Sequence, residues 1–512
     1  MTRRDGRSTA QLLHDFGHDL PTAPAPPGRV GEPRLFSPAL PRGRRRRDAG
    51  WSAATAPVSV WRMTSDQAPA LWPFIGAPGL PPTGAQMGID QLSGGSFYAD
   101  PLGWVVSDDV AVTNPNIFTF GQPGTGKSAT TKAFCTRMAE FGYRTLILGD
   151  PKDEYEALCQ AFGVEPIAIG PGLPARINPL AIGPLKTGWD RLDPAQSQAR
   201  AAVVFSRWLT LVRGLVGSQR LGERRVPFGP SEEVVVKAAL RDLTGYTTGR
   251  TRLAETTIPA LWTTLNDPPA PLVEDCRYEN RRRFLDSTRL LRDALGQLVS
   301  GALAGLFDGP TTIAMDWQAP IQSLSLSRLE PLGDEAVGIA LTCLNSWGRG
   351  MRELTAAGDQ RIVVRDEAWK QLRLGPDAVK SFDADLRLSR TTGDIQLAVA
   401  HKPSDLLSAG DVGSQAVSIA KDMLHLADIK ILHGQDTGIA NELEAMLGLG
   451  PIVADLVTGW ATQGRGRAVW LVGDRTYKVQ TVLHPLEYAL TYTNQAIDGL
   501  NGEPAPSAAG GR

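Results

Sequence analysis

The segment GQPGTGKSA at residues 121–129 constrains this chain more than any other part of it. It reads Gly121, Gln122, Pro123, Gly124, Thr125, Gly126, Lys127, Ser128 and Ala129, and the first eight satisfy the spacing GxxxxGK[ST] in full. Glycines at these places let backbone N–H groups curl inward around phosphate oxygens. Lys127 is placed to reach the outer phosphates, and the Ser128 hydroxyl to ligate Mg²⁺. A glycine-rich turn with a surface lysine is the alternative, and the flanks argue against it. NIFTF reads as an apolar strand feeding the loop. Phe134, Met138 and Phe141 follow at i, i+4 and i+7, the spacing of a helix core stripe. The helix that opens here would aim its positive end at the bound anion.

Such a loop needs an acid at the end of a neighbouring strand. RIVVRDEAW supplies one: Asp366 is placed to hold the metal, and Glu367 follows it directly. A carboxylate one residue past the metal acid can polarise a water for attack on the γ-phosphate, which points to hydrolysis. The sequence contains no [NT]KxD pattern for reading guanine, so ATP is favoured over GTP.

Around these motifs, strand-like and helical segments alternate. RTLILGD ends at Asp150, DEYEALCQAF reads as a helix, and PIAIG reads as a third strand. Later strands are IQSLSLS, RIVVRD, DIQLAVAH, DIKILHG and the late pair RAVWLVGD and TYKVQTVLH. Alternation of this kind implies a mostly parallel sheet covered on both faces. Between them, residues 185–309 carry helical apolar spacing and few strands, so they read as an all-α insertion. The expected organisation is an arm at 1–65, a first part of an α/β domain at 66–184, the insertion at 185–309, a second part at 310–494, and a tail at 495–512.

Composition narrows the remaining classes. A chain of 512 residues exceeds one compact core. Its net charge of −1 names no polyanionic partner for the whole molecule. The four cysteines, Cys135, Cys159, Cys276 and Cys343, form no CxxC and read as buried thiols in a reducing compartment. His14 and His18 stand at i and i+4 without a third ligand nearby, which is too few for zinc. No apolar run approaches the ~20 residues needed to span a bilayer, and no apolar segment follows the charged N-terminus. The chain is expected in the cytoplasm, reaching the inner face of the membrane through partners. The arm packs Arg42, Arg44, Arg45, Arg46 and Arg47 together. It reads as a disordered, solvated segment or as an electrostatic contact for DNA or anionic lipid.

Several segments, in order, resemble the conjugal-transfer ATPases of type IV secretion systems, within the FtsK–HerA group of ring-forming motors. GQPGTGKS is the phosphate loop, LILGDPKDEYEAL resembles the family's D-P-x-x-E-Y, and ARINPL its I-N-P-L. GLFDGPT and VVRDEAW follow, and RTTGDIQLAVAHKPSDL resembles the R-x-x-G…A-T-Q-x-P-x-D segment. The resemblance covers residues 72–493. It implies a RecA-like P-loop NTPase fold with a mostly parallel sheet and an inserted all-α subdomain. It also implies that the strand ending at His401 lies between the phosphate-loop strand and the metal-acid strand. In these motors the last polar residue of that strand senses the γ-phosphate. The family has glutamine there, and this chain has His401. Where the family has a long N-terminal domain, this sequence has the arm.

The resemblance further implies an ATPase using ATP and Mg²⁺, a homo-hexameric ring, and an arginine contributed by a neighbouring subunit. Arg390 is the first candidate for that arginine and Arg465 the second. The leading expectation is an ATP-hydrolysing motor for conjugative DNA transfer or channel assembly, with DNA and membrane-channel proteins as partners. A double-stranded DNA translocase or coupling protein of the same fold is the nearest rival. A nucleotide-gated assembly scaffold with little hydrolysis is the rival from another class.

Overall fold

The computed structural model describes residues 43–46, 49–51 and 79–491, apart from short internal stretches at 187, 222–223, 248–250, 302, 314–318, 353–358, 375 and 408–413. Two compact units separate, Met1–Pro57 and Val58–Arg512. In the first, β1 (Gly43–Arg46) pairs antiparallel with β2 (Ala49–Trp51). That ribbon is a local exception to the unstructured arm expected at 1–65. The remainder of the arm and the tail at 495–512 lie outside the described residues, as do His14 and His18.

The second unit is built on one sheet. Its strands begin with β3 (Ala85–Asp90), β4 (Ser96–Ala99), β5 (Ile117–Phe120), β6 (Arg144–Asp150) and β7 (Ile167–Ala168). A separate small ribbon, β8 (Arg220–Leu221) with β9 (Arg224–Arg225), lies in the insertion. The sheet continues with β10 (Ile321–Ser325), β11 (Arg361–Arg365), β12 (Asp394–Ala400), β13 (Ile429–His433), β14 (Arg467–Val472) and β15 (Arg475–Thr481). The order among the described residues is β4-β3-β15-β14-β13-β5-β12-β11-β6-β10-β7. Neighbours from β13 through to β7 pair in parallel, and those from β13 back to β4 pair antiparallel.

Burial follows from this division. β5, β11 and β12 are buried at every position because helices cover both faces of the parallel part. β15 alternates toward its end, as a strand with one wet face should. β12 does lie between β5 and β11, as the resemblance implies. Val399 pairs with Thr119, and Arg365 with Ala398, so the carboxyl ends of the three strands stand side by side. Open parallel sheets place ligands outside those ends.

The helix Lys127–Ala139 packs Phe134 and Met138 into the core, together with Ile147, Ile362 and Trp470. Each such burial is worth roughly 1.5–3 kcal/mol. Phe141 departs from the expected stripe. The helix ends at Ala139, and Phe141 in the following turn is 55% exposed. The other face of the sheet buries Phe118 and Phe120 against Phe382, Leu386 and Met423.

Between β7 and β10 the chain forms the helical layer. Its spine is Pro194–Ser218, opened by a capping box in which Asp193 accepts from the Gln196 N–H at 2.8 Å. This helix is long and apolar enough to cross a membrane, contrary to the expectation that no such run exists. Its apolar side (Val204, Phe205, Trp208, Leu211, Val212 and Leu215) is instead the buried core of the insertion. Helices Pro230–Thr244, Ile258–Asn266 and Arg289–Ser300 close over it.

Candidate functional site

At the end of β5 the backbone turns through Gly124 at φ 79° and Gly126 at φ 104°, and Lys127 begins the helix. Only glycine takes such angles without strain. Space adds a second constraint at Gly126, where a Cβ would stand 2.7 Å from the Gly466 nitrogen. The loop is braced from three sides. Gly121 N–H donates to the His401 carbonyl at 3.3 Å, Gln122 N–H to Gly434 at 3.1 Å, and Gly466 N–H to Thr125 at 2.9 Å.

One cavity of about 450 Å³ collects the predicted groups. Pro123, Gly124, Gly126, Lys127, Ser128 and Ala129 form its floor, with Asp366, Glu367 and His401 beside them. Gly121, Gln122 and Thr125 complete the loop beneath. Lys127 is only 7% exposed, and its Nζ donates to the carbonyls of Gly121 at 2.6 Å and Gln122 at 3.0 Å. Burial pulls its pKa down against the opposing pull of Asp366 and Glu367.

Asp366 and Glu367 occupy the turn leaving β11. Asp366 Oδ1 accepts from the Glu367 N–H at 3.0 Å, and Tyr155 Oη lies 3.4 Å from Oδ2. Burial, followed by the charges of Glu154, Glu367 and Asp150, pushes the Asp366 pKa up to about 7. Glu367 adopts φ 52°, a left-handed conformation rare for a residue with a side chain. Its carboxylate receives the Lys152 ammonium on Oε1 and the Trp369 indole N–H on Oε2, and His401 Nε2 stands 3.6 Å from Oε1. Burial alone would raise its pKa, but the polar groups of His401, Lys152 and Trp369 around it outweigh that and hold it far below the usual carboxylate range. His401 therefore touches the water-polarising candidate, while its own carbonyl also braces the phosphate loop.

The donor set fits a divalent cation. Ser128 and Asp366 line the same cavity, and Asp366 stands among carboxylates whose mutual repulsion a cation would relieve. Glu154 lines the cavity as well, whereas Asp150 is engaged as a turn cap: it accepts from the backbone N–H groups of Lys152, Glu154 and Tyr155.

Within this chain Arg390, expected to serve a neighbouring subunit's site, stands away from the cavity. It is exposed at the last turn of helix Pro376–Thr392, ahead of β12, whereas the cavity lies past the carboxyl end of that strand. Seven residues of strand separate the two edges by ~20 Å. Arg465, the second candidate, lines the cavity within its own chain.

Sequence reasoning missed several contributors. Lys152 and Trp369 sit inside quoted motifs, but no role was read for either. His433 ends β13 beneath the loop, and burial followed by the Lys127 charge depresses its pKa to about 3, leaving a neutral ring. Thr481, Leu483, Tyr488 and Thr491 form the far wall. That wall is held by Glu487, which accepts from Arg137 Nε at 2.7 Å and Nη2 at 2.6 Å. No local signal in the last hundred residues points to this contact.

Comparisons with known proteins bear on the fold. No family model matches the sequence, and no curated protein matches it in sequence. Among solved structures, VirB4 of Thermoanaerobacter pseudethanolicus aligns with a TM-score of 0.62 at 20% identity, over 80% of this chain and 100% of that one. The plasmid coupling protein TrwB in complex with ADP and Mg²⁺ aligns with a TM-score of 0.49 at 10% identity, over 78% and 90% of the two chains. The conjugative coupling protein TrwBdeltaN70 in complex with sulphate gives 0.49 at 14% identity, over 80% and 96%. With β12 between β5 and β11, the phosphate loop at their carboxyl ends and the likeness to VirB4 along that chain's whole length, this chain has the RecA-like P-loop NTPase fold of VirB4.

Proposed function

We propose that this chain is an ATP-hydrolysing motor of a conjugative, type IV secretion-like DNA-transfer system, energising transfer or channel assembly. One observation carries the reading. A single cavity gathers the phosphate loop, the acid Asp366 and the base candidate Glu367 at the carboxyl ends of adjacent parallel strands. The backbone of residues 121–129 cradles the phosphates of ATP, and Lys127 exchanges its two carbonyl partners for phosphate oxygens. Ser128 and Asp366 would hold Mg²⁺, which when bound neutralises charge on the β- and γ-phosphates. Glu367 orients and deprotonates the attacking water. The likeness to VirB4 supports assignment to a transfer ATPase. A homo-hexameric ring, DNA and channel proteins as partners, and work in the cytoplasm at the inner face of the membrane belong to the same proposal.

The scaffold reading draws on one specific observation: Glu367 is clasped by Lys152, Trp369 and His401, an arrangement that slows a general base. Phosphate release from ATP, measured with and without double-stranded DNA and with Lys127→Ala as control, separates the readings. The motor predicts turnover that Lys127→Ala abolishes. Strong stimulation by DNA alone would favour the translocase. ATP binding without turnover would favour the scaffold.

A further inference from the structure

We propose that Lys152 is a mobile catalytic cation, which clasps Glu367 in the structure described here and transfers to the γ-phosphate when a triphosphate occupies the cavity. The inference rests on the ATPase reading above.

The clasp is the first observation. Glu367 has a side chain only 7% exposed, and both its oxygens are engaged: Oε1 by Lys152 and, at 3.6 Å, by His401, and Oε2 by the Trp369 indole. A carboxylate whose charge is shared among these donors is a poor acceptor for a proton from water. Departure of one partner makes it a stronger base toward the attacking water.

Only one of the three is built to leave. Trp369 is fixed on helix Ala368–Leu372, with the Arg373 guanidinium 4.2 Å from its ring centroid. His401 follows β12 directly, and its carbonyl accepts from Gly121 N–H and from Gln435 Nε2 at 2.9 Å. Lys152 sits on the turn after β6 with a side chain 49% exposed, and its four-carbon stem can swing.

The destination is the same cavity. Lys152 lines it together with Lys127, Ser128 and Asp366. A triphosphate brings more negative charge than one carboxylate offers, so the ammonium is drawn from Glu367 to the terminal phosphoryl group. Arrival of the γ-phosphate thereby frees the base. In the step itself, the water oxygen bonds to the γ-phosphorus as the bond from that phosphorus to the β,γ-bridging oxygen breaks. The water proton passes to Glu367, and ADP departs with the bonding electrons. Lys152 contributes no atom; it stabilises charge on the γ-phosphoryl oxygens.

The test uses the full chain with Mg²⁺ and compares wild type, Lys152→Ala and Lys152→Arg for binding of ADP, binding of the non-hydrolysable analogue AMP-PNP, and ATP turnover. Loss of one charge-assisted phosphate contact should weaken AMP-PNP by ~10-fold in Lys152→Ala, with ADP affinity within about twofold of wild type. Turnover should fall by ~10-fold or more, and Lys152→Arg should recover most of the analogue affinity. The retained ADP affinity reports that the variant is folded. Equal effects on both nucleotides, or unchanged or faster turnover in Lys152→Ala, would overturn the proposal and leave Lys152 a clasp alone. A wild type that binds neither nucleotide would remove the ATPase reading with it. A wild type that hydrolyses ATP beside an indistinguishable Lys152→Ala would remove the lysine's role only.

Discussion

Asp366 carries a cost that its neighbours impose. An ordinary aspartate titrates near 4, and burial with three nearby carboxylates brings this one to about 7. Between those values the folded chain binds more protons at Asp366 than the unfolded chain does. Stability therefore falls as pH rises from about 4 to about 7 and is flat above. Asp366→Asn, neutral throughout, should remove this slope and raise the nucleotide-free Tm by a few degrees at pH 8, with little change at about pH 4 and below. Asp150 shifts in the same direction but is common to both proteins, and the opposite contribution of Glu367 falls below the window. Thermal melts of the two proteins across pH decide it; parallel curves would show that Asp366 bears no such cost. The same substitution should weaken Mg²⁺-dependent nucleotide binding. Glu367→Gln should keep that binding and slow turnover by ~10²-fold or more, the scale of losing a general base. Single-turnover measurements distinguish the two roles, and normal Mg²⁺-ATP binding in Asp366→Asn with none in Glu367→Gln would reverse them.

At the scale of elements, the phosphate loop works because three strand ends hold it, and Gly121 is where the fit is tightest. A Cβ there would stand 2.5 Å from the Cβ of His433 and 2.9 Å from Thr125 Oγ1. Neither atom is the free end of a long side chain, so Gly121→Ala should displace the loop from β13 and cost at least ~10-fold in ATP affinity, as overpacking of a rigid site typically costs 1–3 kcal/mol. Gln122→Ala loses only an exposed contact to Asp436 and should change affinity less than about threefold. Calorimetric titration of both variants checks the contrast; equal effects would mean that the loop is not braced as the structure has it. The loop and its strand were legible because a complete motif and apolar periodicity coincide at residues 116–138. Asp366 and Glu367 were legible because a buried strand ends on them. Arg390 precedes β12 while His401 follows it, so strand direction alone sets them at opposite edges, and an arginine read for a neighbouring subunit's site is not placed by contacts within one chain. The far wall was not legible. Thr481 and Tyr488 reach the site because β15 pairs with the distant β3 and Arg137 captures Glu487, the latter a contact across 350 residues.

For the whole molecule, charge is distributed unevenly. The net value is −1, yet five arginines fall within residues 42–47. Every residue assigned here to the nucleotide site lies between 121 and 491, so removal of residues 1–60 should leave basal ATP turnover within about twofold, a surface-sized effect. If the cluster touches DNA, each neutralised phosphate releases counterions, and the slope of log K against log salt should become shallower by at most ~4–5 on truncation, since each contact contributes about 0.9. The loss should be greatest at low salt, where the Debye length is longest. Anionic vesicles provide the second arm of the experiment, because a lipid surface offers the same charge without the duplex. A larger loss for DNA than for vesicles would tie the arm to the cargo, and the reverse would tie it to the membrane. Equal affinities for both polyanions before and after truncation would make the arginines a passive tail. Any contact of the proposed motor with DNA would then be sought on the second unit, where Arg281, Arg282 and Arg283 are exposed at the start of one insertion helix.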